Sequence, residues 1–123
     1  MRKAVVVVGK VPRPGEVKSR LARALGAERA ARLYECFLFD TVEAVARVGE
    51  ADVIVSLLGG PLPSLQGIAP NVRVVPQRGG TFGKRLRNSI ATAFDMGYKP
   101  VVLIGSDNPS LPPEIVLEAF GAL

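Results

Sequence analysis

The 123-residue chain has no histidine and a single cysteine, Cys36. One thiol excludes an intrachain disulfide, and without imidazole there is no Cys/His zinc centre and no Ser-His or Cys-His nucleophile pair. Chemistry must then run on carboxylates, Lys, Arg, backbone amides or a hard metal held by oxygen. Long apolar runs are also lacking. The longest, Ala4 to Val8, is closed by Gly9 and Lys10, far short of the roughly 20 residues of a membrane span. Arg2 and Lys3 precede it, but no adequate h-region or small-residue cleavage site follows, so a cytoplasmic protein is expected. Aromatic residues make up 6%, and Tyr34, Phe37 and Phe120 read as core. Nucleic-acid binding through stacked bases is therefore disfavoured.

What is present is a globular balance, with 48% hydrophobic and 22% charged residues, and a length that fits one domain over residues 1–123. The net charge of +5 is unevenly placed: residues 1 to 32 hold nine Lys/Arg against Glu16 and Glu28. A positive N-terminal segment attracts an anion.

Lys3 to Val8 reads as a parallel strand buried on both faces, because it is short, continuous and Val-rich. Glu16 to Leu25 reads as a short basic helix. From Glu28 to Val48 the apolar residues Ala31, Leu33, Tyr34, Phe37, Leu38, Val42 and Val45 recur at three and four, which predicts an amphipathic helix ended by Gly49. Strands are expected at Asp52 to Leu58, Val72 to Val75 and Val101 to Ile104. Leu86, Ile90, Ala93 and Phe94 mark a helix ending at Gly97, and a last helix is expected from Pro112 or Pro113 to Phe120. Strands alternating with helices predict a three-layer, Rossmann-like α/β domain: a mainly parallel sheet with helices on both faces. Ligands of such sheets lie beyond the carboxyl ends of the strands, so the segments after Val8, Val75 and Ile104 matter most.

The first segment, Gly9 to Leu21, places glycine, Lys and Ser after a strand but misses the Walker A spacing, since five residues separate Gly9 from Gly15 and Lys18 lies three beyond it. Lys10, Arg13, Lys18 and Arg20 remain as donors for phosphate oxygens, with a solvated basic loop as the alternative. The second, Gln77 to Arg85, opens a helix with three glycines and the cations Lys84 and Arg85; a turn before a helix explains it equally well. The third, Gly105-Ser106-Asp107-Asn108-Pro109, puts a carboxylate just past a strand, where either a metal ligand or a local turn fits. In the 3-2-1-4 strand order the first and third segments would face each other. A carboxylate opposite several cations suits a magnesium-bound diphosphate, because Mg²⁺ is held by one or two carboxylates with phosphate oxygens and water.

Taken together, Gly9-Lys10-x-Pro12-x-Pro14-Gly15-x-Val17-Lys18-Ser19-Arg20-Leu21, Gln77 with Gly83-x-Arg85, and Gly105-Ser106-Asp107-x-Pro109 resemble the glycosyltransferase-A-type family of selenodomain-associated transferases. Wider kin include 2-phospholactate guanylyltransferase and molybdenum cofactor guanylyltransferase. The resemblance spans the chain in order, with Ser19 where Thr is usual and Asn108 where Cys is often seen.

It implies a nucleotide-diphospho-sugar transferase fold, with Asp107 as the metal-binding acid, catalytic through its hold on Mg²⁺ or Mn²⁺. Lys18 is implied as a catalytic cation beside Arg20 on phosphates. Gly9, Lys10, Arg13, Gly15, Gln77, Gly83 and Arg85 are implied around the nucleotide. Relatives of this kind continue past the Gly-Ser-Asp motif, so residues 1–123 are expected as the N-terminal, nucleotide-binding half without the acceptor half. The implied activity is glycosyl transfer from a nucleotide sugar to an unidentified acceptor. The alternatives are nucleotidyl transfer from an NTP and a non-catalytic nucleotide-binding or interaction module, the last with homodimerisation to cover bare sheet.

Overall fold

The structure, a computed structural model, describes residues 2–15 and 23–105. Strand β1 (Lys3–Lys10) leads to helix α1 (Ala27–Ala46), β2 (Ala51–Leu58), a single 3-10 turn at Pro63–Leu65, β3 (Val72–Pro76), helix α2 (Phe82–Asp95) and β4 (Val101–Gly105). Residues 23–25 are also helical. The expected helix up to Phe120, and Lys18, Arg20 and Asp107, lie outside the described residues.

All four strands are parallel, in the order β3-β2-β1-β4. Side chains of successive strand residues point to opposite faces, and the sheet sorts them accordingly. Val5, Val7, Val53, Val55 and Leu57 join Ala31, Tyr34, Leu38, Val42 and Val45 of α1 in the larger core. Ala4, Val6 and Ile54 meet Ala93 of α2 and Tyr98 on the other face. One helix on each face makes the three-layer α/β arrangement expected from the sequence, and the apolar runs of β1 and β2 follow from burial on both sides.

One element bound and one side chain differ from expectation. β1 continues through Gly9 and Lys10, which align with Leu57 and Leu58 of β2. Gly9 is thus a strand residue rather than the start of the loop after β1. On α2, Phe94 is 49% exposed instead of lying on the buried stripe, because Ser89 and Ala93 take the positions facing the sheet.

In the register of β4 on β1, Gly105 lies opposite Val8. The chain therefore leaves β4 beside the end of β1, the point where strand order reverses and open α/β sheets bind ligands.

Candidate functional site

The carboxyl rim is organised around one side chain. Gln77, the first residue after β3, donates from Nε2 to the carbonyl of Gly9 at 3.2 Å and to that of Ser56 at 3.0 Å. Its Oε1 accepts from Arg85 Nε at 2.9 Å, and its backbone N–H donates to the Leu57 carbonyl at 2.9 Å. Both ends of one amide are satisfied, so Gln77 ties β1, β2 and the first turns of α2 together.

Local geometry enforces that arrangement. Gly79 has φ +133°, and a Cβ there would fall 2.9 Å from the Arg85 backbone nitrogen, closer than real Cβ contacts come. Only glycine lets the loop fold back on α2. Thr81 caps the helix, its side chain accepting from the Lys84 N–H at 3.2 Å. Asn88 Nδ2 donates to the Arg78 carbonyl at 3.0 Å. Underneath, the hydroxyls of Ser56 and Ser89 lie 2.7 Å apart, and Ser89 donates to the Arg85 carbonyl at 2.7 Å. Because Ser89 gives its proton to Arg85, Ser56 is the donor to Ser89, and both buried hydroxyls are satisfied.

The rim beyond β1 is basic. The Lys10 N–H donates to Tyr34 Oη at 3.0 Å, fixing the strand end on α1. The Val11 N–H donates to Leu58 at 2.9 Å. The Arg13 guanidinium lies against Gly59 and Gly60, where added Cβ atoms would come 3.2 and 3.6 Å from its nitrogens. Residues 11–15, 59–62 and 77–81 contain no Asp or Glu, while Lys10, Arg13, Arg78, Lys84 and Arg85 lie on or beside them. The field there favours an anion.

Of the residues picked out in the sequence, Gly9, Gln77 and Arg85 form one bonded unit, and Lys10 and Arg13 follow directly on β1. Gly15 has φ +82° at the end of the described segment. Gly83 belongs to the first turn of α2, and a Cβ there would meet nothing within 4 Å. The steric demand falls on Gly79 instead. Lys18, Arg20 and Asp107 lie outside the described residues, and the described ones include no group of three or more His, Cys, Asp or Glu side chains that could hold a metal.

Sequence reasoning also missed Ser56, Ser89 and Phe82. The first two look like ordinary small residues in a strand and a helix. Phe82 stands four residues before Leu86, in step with the Leu86, Ile90, Ala93 stripe, and is nevertheless 62% exposed. The Arg85 guanidinium carbon lies 5.9 Å from the centre of its ring.

The opposite end of the sheet holds a different ionic unit. Asp52 accepts from Arg2 and from the Tyr98 hydroxyl. Burial opposes ionisation of Asp52, but the bonds from Arg2 and Tyr98 outweigh it and hold its pKa below the ordinary value. Burial, then the bond to Asp52, pushes the Tyr98 hydroxyl up. A hollow of about 710 Å³ opens at this end, lined by Arg2, Arg47, Ile68 and Asn71 among others. It exceeds the roughly 360 Å³ hollow between Leu57, Leu62, Val74 and Pro76 at the carboxyl rim. Its cations are already paired, Arg2 with Asp52 and Arg47 with Glu43, so size does not make it the anion site.

Similarity to known proteins follows the same architecture. A protein assigned as a nucleotide-diphospho-sugar transferase from Desulfovibrio desulfuricans G20 superposes with a TM-score of 0.83 at 33% identity, over 98% of this chain and 54% of its own. A 4-diphosphocytidyl-2C-methyl-D-erythritol synthase superposes with a TM-score of 0.63 at 16% identity, over 99% of this chain and 54% of its own, which speaks to fold alone. The chain thus spans about half the length of each. No curated protein matches it. No helix among the described residues is long and apolar enough to cross a membrane. Residues 41–123 match the family described as uncharacterized protein conserved in bacteria (DUF2064), and the chain belongs to that family.

Proposed function

We propose that this chain binds the nucleoside diphosphate portion of a nucleotide sugar, as the donor-binding part of a metal-dependent glycosyltransferase. The observation that carries the reading is the Gln77 brace, which holds Gly9, Ser56 and Arg85 in one bonded unit at the carboxyl rim. It builds a rigid, cation-rich edge where open α/β sheets take ligands. The likeness to the Desulfovibrio protein supports the same choice of ligand, as does the resemblance of the β1 loop to selenodomain-associated transferases.

In this reading Lys10, Arg13, Lys18 and Arg20 neutralise phosphate charge. Asp107 is the carboxylate for Mg²⁺ or Mn²⁺. Asp107 follows β4 in the chain, and a hard metal such as Mg²⁺ is held by one or two carboxylates together with phosphate oxygens and water. When bound, the metal would act as a Lewis acid on the leaving diphosphate. The protein's own cations stabilise the same developing charge, a contribution of about 3 to 4 kcal/mol per well-placed donor.

Calorimetric titration of UDP, GDP and pyrophosphate with and without Mg²⁺ tests the proposal. Metal-dependent binding, abolished by Asp107→Ala with the fold intact, is expected. Absence of any binding by the unmutated chain overturns it. Release of UDP from UDP-sugars, against release of pyrophosphate from GTP, separates glycosyl from nucleotidyl transfer.

A further inference from the structure

We infer that Phe82 is a stacking platform for the nucleobase, the flat apolar surface that the described residues offer beside the carboxyl rim. The inference rests on the nucleotide reading above.

Phe82 is the most exposed large hydrophobic residue among those described, at 62%. A phenyl ring exposed to that degree adds little to the core, whereas a flat apolar surface beside a polyphosphate site suits the flat, π-bearing part of a nucleotide. Its placement is fixed through bonded neighbours. The ring lies 5.9 Å from the Arg85 guanidinium carbon. Arg85 is bonded to Gln77, and Gln77 to the ends of β1 and β2. The loop before the ring runs close against the start of α2, with Gly79 beside the Arg85 backbone. The ring is thereby held in register with the rim, and little order has to be gained on binding.

Charge selects the occupant. Arg78, Lys84 and Arg85 lie within four residues of Phe82 in the chain, and their positive charge favours a ligand that carries negative charge over a neutral apolar one. A ligand that joins an aromatic plane to phosphates satisfies both features at once. The amide of Gln77 is occupied by Gly9, Ser56 and Arg85, so it has little left with which to read base edges. Stacking of this kind tolerates different bases, because every base has a π-face.

The test compares ligands with and without a base. Phe82→Ala should weaken UDP and GDP binding by roughly five- to a hundred-fold and leave pyrophosphate affinity unchanged. The chain contains no tryptophan, so F82W introduces a single indole fluorophore. Its emission should be quenched by UDP and GDP but not by pyrophosphate. Equal nucleotide affinity in F82A and the unmutated chain, or no base-dependent quenching in F82W, overturns the inference. Retained pyrophosphate binding in that case leaves the diphosphate reading standing, whereas failure of the unmutated chain to bind any of the three ligands overturns both. Should F82A fail to fold, the F82W fluorescence decides alone.

Discussion

Gln77 Oε1 accepts from Arg85 Nε at 2.9 Å while Gln77 Nε2 donates to the carbonyls of Gly9 and Ser56. An amide can do both; a carboxylate cannot. Gln77→Glu keeps an acceptor for Arg85 but aims an anion at two carbonyl oxygens. Gln77→Ala removes all three bonds. Both should destabilise the chain by about 1 to 3 kcal/mol, with Glu no better than Ala despite its charge complementarity to Arg85. Urea unfolding of the two variants checks this; a Glu variant as stable as the original would show that the carbonyl contacts contribute nothing.

Glycines on either side of Thr81 should respond oppositely. Gly79→Ala places a Cβ against the Arg85 backbone at φ +133°, with an expected cost of about 1 to 3 kcal/mol. Gly83→Ala meets open space inside helix α2 and should be neutral or stabilise by up to about 1 kcal/mol. Thermal melts of the pair measure the difference, and equal Tm values would contradict the close approach at Gly79.

Asp52 gives stability a sign with pH. Its folded pKa lies below the ordinary carboxylate value of 3.8, so its contribution is fully present above that value and is lost as pH falls through the depressed folded one. The Tyr98 hydroxyl is raised above 10.0, so its contribution is present below that value and is lost as pH rises through the raised folded one. Asp52→Asn should flatten the acid limb of a Tm profile and reduce the alkaline one. Tyr98→Phe should remove the Tyr98 part of the alkaline limb and soften the acid limb. An acid limb unchanged by Asp52→Asn would assign acid lability to other carboxylates.

Much of the architecture was legible because it rests on local patterns. The Val-rich β1 and the three-and-four spacing of Tyr34, Leu38, Val42 and Val45 each identify their element without reference to the rest of the chain. Gln77, Arg85 and the glycine at position 9 were picked out together through resemblance, but their mutual bonding was not legible. Phe94 misled because an apolar residue adjacent to a stripe reads as part of it. Whether Ser89 or Phe94 faces the sheet depends on the angular position of a helix only 14 residues long, which a count of apolar residues does not settle.

The sequence by itself determined the order of the strands and helices from β1 to β4 among the described residues, the parallel α/β character and the excess of cations after the first strand, since these depend on residue type and spacing along the chain. Tertiary structure alone decided that Gly9 and Gln77, 68 residues apart, share a hydrogen bond, that Gly79 rather than Gly83 is sterically required, and that Phe82 stands in solvent beside Arg85. The physical reason is that such contacts depend on distances between elements. Those distances are set by the packing of two helices on one sheet, and no local pattern of residues encodes them.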